Sequence, residues 1–143
     1  MSELPIAARC ERDNALTDVQ QTCAMYGMPV TVRIRRESDV TRDKLGSVIA
    51  RQTEYDEFTI GSFPFNTSPN HRELEKAGLR EMGEVLAYVA SKDFTDRGIT
   101  FREIDAERTT IIGAGEQYRI VEKNATSAFL DAFLYYTFSL KRM

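Results

Sequence analysis

The sequence predicts a mainly β fold, a small barrel or sandwich of six to seven strands preceded by one amphipathic helix. Two observations carry that expectation. Short runs of alternating apolar and polar residues recur along residues 29–142, and only a stretch near the N-terminus holds helical periodicity over three to four turns. A third observation excludes the main alternative, since no further long helix is available to build repeated βαβ units. At 143 residues the chain fits one domain, 1–143, large enough to bury a core without a disulfide or metal staple.

The helix is expected over residues 14–26, capped by Asp13 or Asn14, with Leu16, Val19, Cys23 and Tyr26 on one buried stripe. Gly27 and Pro29 end it. In PVTVRIRRE, Val30, Val32 and Ile34 share one strand face, and Thr31, Arg33 and Arg35 share the other. SVIARQTEYDEFTIGSF offers two strands, about 47–54 and 57–63, joined tightly around Tyr55 and Asp56. Residues 62–80 read as the least regular stretch, with one or two helical turns in HRELEKAGL closed by Gly78. GEVLAYVAS is apolar on both faces and therefore central. KDFTDRGI makes a turn or short helix closed by Gly98. In the last strand Leu134, Tyr136, Phe138 and Leu140 face the core, while Phe133 and Tyr135 face away.

RTTIIGAGEQYRIVEK (108–123) contains a GxG that invites comparison with a dinucleotide site. The motif's third glycine position is Tyr118, and strand-like residues follow where a helix would be needed. Gly113, Ala114 and Gly115 are expected to form the tip of a hairpin instead, returning Tyr118 and Ile120 to the core.

Composition narrows the function classes. A net charge of −3 and a pI near 5.3 do not suit a general nucleic-acid binder. Cys10 and Cys23 are too few for a disulfide framework, Cys23 fits the buried helix stripe, and a reducing, cytosolic setting is the expectation. No signal peptide and no membrane-spanning run is read from the chain. His71 is the only histidine and lies in a polar segment read as an exposed loop. No metal-ligand spacing and no nucleophile–base motif occurs, so no catalytic residue, metal or cofactor is assigned. The acid pairs Glu73/Glu75 and Asp105/Glu107 are ordinary in a chain with 22 acids.

Two stretches remain as candidate interfaces. RIRRESDVTRDK gathers Arg33, Arg35, Arg36, Arg42 and Lys44. Interleaved Glu37, Asp39 and Asp43 suggest a salt-bridged solvent face, though Arg33 and Arg35 are placed to meet a partner's carboxylates. In SFPFNTSP, Phe63 and Phe65 flank Pro64, which interrupts regular pairing and leaves each ring either tucked beneath the loop or offered to a partner. Phe133 and Tyr135 complete the set.

From Glu84 to Arg142 the order of features resembles the small neck proteins of tailed bacteriophages, the head-completion, stopper or head–tail connector family. The resemblance rests on EVLAYVASKDF, the polar segment ITFREIDAERTTII, a hairpin of the form G-x-x-Y-x-I-V-E and the final YYTFSLKR; LEKAGLRE ahead of them is also similar. The hairpin is carried by Gly115, Tyr118, Ile120, Val121 and Glu122. The resemblance implies a non-enzymatic virion component, a compact β-barrel that assembles as a ring, often a hexamer, below the portal. Such a ring closes the channel after packaging and gives the tail a docking platform. It implies as partners further copies of the chain, a portal or adaptor protein, tail proteins, and DNA that passes without sequence recognition, with no membrane. Location in the virion after assembly in the host cytoplasm follows from the same resemblance. A tail-completion protein is the related reading. A nucleic-acid-binding barrel of the OB or SH3-like type, using Arg33, Arg35, Tyr55 and Phe58, is the alternative from another class.

Overall fold

Alternation of apolar residues along a strand buries one face, and Val30, Val32 and Ile34 are all buried while Arg33 stays at the surface. The computed structural model that gives these positions describes residues 4–42, 48–79 and 83–143. Helix α1 (Ile6–Tyr26) leads into β1 (Met28–Arg42) and β2 (Val48–Asn66). Helix α2 (His71–Lys76), β3 (Val85–Ala90), α3 (Ser91–Thr95) and a 3-10 turn (Phe101–Glu103) follow. Strands β4 (Thr109–Gly113), β5 (Glu116–Phe129) and β6 (Ala132–Arg142) complete the chain.

The strands close into a barrel in the order β1-β2-β3-β6-β5-β4, with every neighbouring pair antiparallel. Of the two architectures left open by the sequence, the barrel is the one formed. Closure depends on β1 and β4, whose partners run from Val30 opposite Gly113 to Ile34 opposite Thr109. The β4–β5 connection is the tight turn read from Gly-Ala-Gly. Gly113 lies opposite Glu116, and Ala114 and Gly115 both take left-handed φ, at 52° and 76°. Tyr118 and Ile120 return to the core as the alternation requires.

The connection from β3 to β4 is too long for a hairpin and is used as a plug. It carries Phe94, Ile99 and Ile104 into the barrel core, all essentially inaccessible to solvent. Phe94 is the hub of an aromatic group, with ring centroids 5.6 Å from Phe58, 5.5 Å from Tyr136 and 6.2 Å from Phe138. A second, smaller apolar cluster sits on the outer face of β3. There Leu74, Ala77 and Leu79 of the α2 region cover Leu86, which is why β3 is apolar on both sides. The outward Thr137 and Asn124 also turn to this region, each donating a hydrogen bond to the Ala77 carbonyl at 3.1 Å. Gly78 and Gly98 close α2 and α3 with left-handed φ, as their placement in the sequence predicts.

Three expectations need correction. The first helix begins at Ile6, eight residues before the expected start, with Pro5 at its N-cap position; Asp13 and Asn14 lie exposed in its middle. Nothing between Pro5 and Asp13 disfavours helix, so the capping residues by type are not caps by position. Tyr26 is exposed and Leu16 and Val19 are half-buried, leaving Cys23 as the buried anchor of α1. Second, the two strands expected around Tyr55 and Asp56 are one. Tyr55 lies opposite Arg35 and Asp56 opposite Ile34 in an unbroken ladder, and no residue there supplies the φ a reversal needs. Third, the irregular stretch expected from 62 to 80 is shorter. Strand β2 continues to Asn66, absorbing Phe63 and Pro64 as a break in its pairing with β3 between Ser62 and Phe65.

Helix α1 lies against β2 where the strand carries no side chain. A Cβ added at Gly61 would sit 1.9 Å from the Cys23 carbonyl oxygen, so only glycine permits this approach.

Candidate interaction surfaces

Strands β1 and β2 outrun the barrel. Pairing of β1 with β4 ends at Ile34, and the main-chain N–H of Arg35 makes one further bond to the Arg108 carbonyl at 2.8 Å. Beyond it β1 and β2 pair only with each other among the described residues, out to Arg42 opposite Val48. Seven further residues at about 3.3 Å each carry this two-stranded arm roughly 20 Å past the wall. Residues 36–54 contain four cationic residues (Arg36, Arg42, Lys44, Arg51) and four acidic ones (Glu37, Asp39, Asp43, Glu54). The ion pairs expected within this group involve side chains outside the described residues.

At the base of the arm, Arg33 is held by its own chain. Its Nε donates to Glu57 Oε2 at 2.9 Å, and its guanidinium lies 5.7 Å from the Tyr55 ring centroid. Arg35 is exposed on the same strand face. The platform that a nucleic-acid barrel would need is similarly occupied: Arg97 covers Phe58 at 4.5 Å, and Asp56 and Glu57 adjoin it. A base stacking on Phe58 would have to displace an arginine and approach two carboxylates.

The other predicted interface residues separate. Phe65 turns inward against the core, 6.1 Å from Tyr118, whereas Phe63 is presented to solvent beside Tyr26 at 6.4 Å. Phe133 is half exposed, and Tyr135 packs edge-on to Tyr88 at 6.1 Å. The structure therefore does not unite Phe63, Phe65, Phe133 and Tyr135 into one surface. It adds residues that the sequence reading passed over. Tyr26 joins Phe63, Met25 is exposed next to Tyr26 in the chain, and Phe129, Leu130 and Phe133 are exposed around the β5–β6 turn. The missed signal for the second group was FLDAF, two strand ends meeting with no Gly or Asn between them.

His71 is the first residue of α2, not a loop residue, and is exposed. Among the described residues no three His, Cys, Asp or Glu side chains gather closely enough to hold a metal ion. No helix among them is long and apolar enough to cross a membrane. Cys23 is fully buried, and burial pushes its thiol pKa up, away from the reactive thiolate. Cys10 is exposed.

Two carboxylates, Asp93 and the more exposed Asp96, link α1 to the plug through Gln20. Gln20 Nε2 donates to Asp93 Oδ1 at 2.8 Å, and Arg97 Nη1 donates to the Asp93 main-chain carbonyl at 2.6 Å. Lys92, Asp96 and Cys23 also lie in its field. Burial is the largest influence on Asp93 and raises its pKa above the ordinary aspartate value, opposed by the Gln20 bond and by Arg97. The native state thus holds this proton more firmly than the unfolded chain. The associated stability is present in full below the unfolded pKa of about 3.9 and is lost as pH rises through the native value. Asp93→Asn keeps an oxygen for Gln20 and removes the buried charge. It is expected to raise the melting temperature at neutral pH, with the gain shrinking at about pH 3.5. Circular-dichroism melts at both pH values check this; an equal gain at both would show that the charge is not the cause.

Comparison of the chain with protein families, with curated proteins and with solved structures gives no match.

Proposed function

We propose that this chain is a structural protein of the neck of a tailed phage. It forms a ring between portal and tail, hexameric by the resemblance, that closes the head and offers the tail a docking surface. The observation that carries this reading is the β1–β2 arm. A closed barrel has few spare strand edges, yet here one hairpin leaves the wall with both edges unpaired among the described residues. A two-stranded ribbon alone is marginally stable in water, so such an arm suits a chain that works covered by neighbours. Its equal numbers of cationic and acidic residues suit a surface past which DNA slides without being held. The partners on this reading are further copies, a portal or adaptor protein and tail proteins, and the protein belongs to the virion.

Negative-stain imaging of the chain mixed with purified portal and tail complexes of its phage tests the proposal. Added density at the head–tail junction is the expected result; a chain that joins neither complex at any concentration would overturn it.

A further inference from the structure

Helix α1 is fastened to the barrel more by polar ties than by packing. Of its 21 residues only Cys23 is buried, while Ile6 and Met25 are each 73% exposed and Tyr26 69%. A helix that packs on a core commonly buries a continuous apolar stripe, yet no residue of α1 belongs to the barrel core or to the smaller cluster on β3. Among the described residues no main-chain hydrogen bond joins α1 to a strand. Two clasps hold it instead. Near its start Arg12 Nη1 donates to both oxygens of Asp131 in the β5–β6 turn, each at 3.0 Å. Further along, Gln20 Nε2 donates to Asp93 at 2.8 Å and to Asp96 at 3.3 Å.

Between the clasps the fit is open. Leu16 forms one side of a largely apolar groove of about 340 Å³ whose other walls include Phe101, Ala125, Ala132, Phe133 and Tyr136. The middle of the helix thus spans the barrel surface without filling it. At the second clasp Asp93 is only 9% exposed with Gln20 over its carboxylate, and a carboxylate kept from water opposes closure. The barrel itself closes without the helix, through the ladder of β1 with β4. Gly27 is the one residue between the end of α1 and the start of β1, so a change in its dihedrals alone swings the helix.

We propose that α1 is a strap that swings off the barrel as an intact helix about Gly27 while the barrel stays folded. Its closed position covers Asp93, the Gly61 segment of β2 and one side of the groove; its open position gives all three to solvent. The device needs no second chain and does not rest on the neck reading. Cys23 reports on it, because this thiol is fully buried beside the main chain of Phe63 and Ala90 and is bared when the helix lifts. Arg12 lies about 16 Å from Cys23 along the axis at 1.5 Å per residue, so its clasp governs access to the thiol only if the helix moves as one body.

Modification of Cys23 by dithiobis(nitrobenzoate) in a Cys10→Ser chain, without denaturant, tests the strap, and the urea-unfolded chain gives the unprotected rate. Amide hydrogen exchange of β4 and β5 under the same conditions measures opening of the barrel. Protection of Cys23 is expected to be at least about 100-fold smaller than that of the slowest amides of these strands. Arg12→Ala and Asp131→Ala are each expected to speed the modification about two- to fivefold. The two together should do no more than either alone, since they break one clasp from its two sides. Melting within about 4 °C of the parent shows that the barrel remains in each variant. A Cys23 protected as strongly as the slowest amides would mean that the helix leaves only on global unfolding, which overturns the strap. Equal rates in the parent and both clasp variants would overturn it as well, because the thiol would then be reached by a local fluctuation that leaves the helix in place.

Discussion

Replacing residues 37–53 by Asn-Gly is expected to leave a barrel that melts within about 3 °C of the parent and no longer enters a neck assembly. Arg36 lies directly opposite Glu54, so a two-residue turn between them preserves the register of everything below it. Asn-Gly adopts the turn whose twist matches the flanking strands. Pairing of β1 with β4 from Val30 to Ile34 is untouched, as is the core beneath it. The removed ribbon contributes little to folding, because two strands alone bury too little to hold themselves. Thermal melts and negative-stain counts of occupied necks separate the two effects. A shortened chain that fills necks as well as the parent would remove the arm from the proposed function.

The largest effect on stability is expected from Phe94→Ala, a loss of about 3–5 kcal/mol. Phe94 is fully buried at the centre of the barrel and touches the rings of Phe58, Tyr136 and Phe138. Truncation leaves a cavity where strands β2 and β6 meet the plug, and the closed ladder limits how far the wall can collapse into it. Against a total of about 5–15 kcal/mol for a domain, this is a large fraction, and a drop on the order of 10 °C in melting temperature follows. Urea titration gives the matching shift in midpoint. A shift under about 1 kcal/mol would show that the plug is not the keystone of this core.

Much of the fold is legible in the chain because its signals are local. Val30, Val32 and Ile34 announce a strand with one buried face, and Gly113 to Gly115 announce a reversal. Gly78 and Gly98 likewise mark the ends of their short helices. What the sequence obscured depended on neighbours distant along the chain. Tyr55 and Asp56 have the composition of a turn, but pairing with Arg35 and Ile34 keeps them extended. Pro64 reads as a breaker, yet the strand passes it by leaving Phe63 and Pro64 out of the ladder to β3. The choice of barrel over sandwich lies in the β1–β4 register, which no local pattern encodes.

The candidate surfaces divide in the same way. Arg33 and Phe63 were visible as unusual residues, but whether each is satisfied within its own chain was decided by Glu57 and Tyr26. Leu130 escaped because its peculiarity is a backbone angle that its residue type does not advertise.

The base of the arm has a mechanical consequence. From Met28 opposite Ser62 to Glu37 opposite Thr53 the ladder has no slip, so the strands that reach outward are the same ones that form the wall. No joint separates lever from body there. A neighbour that grips the arm below Glu37 therefore fixes the bearing of the whole barrel, and tension applied there is shared lengthwise among many wall hydrogen bonds instead of unzipping them singly.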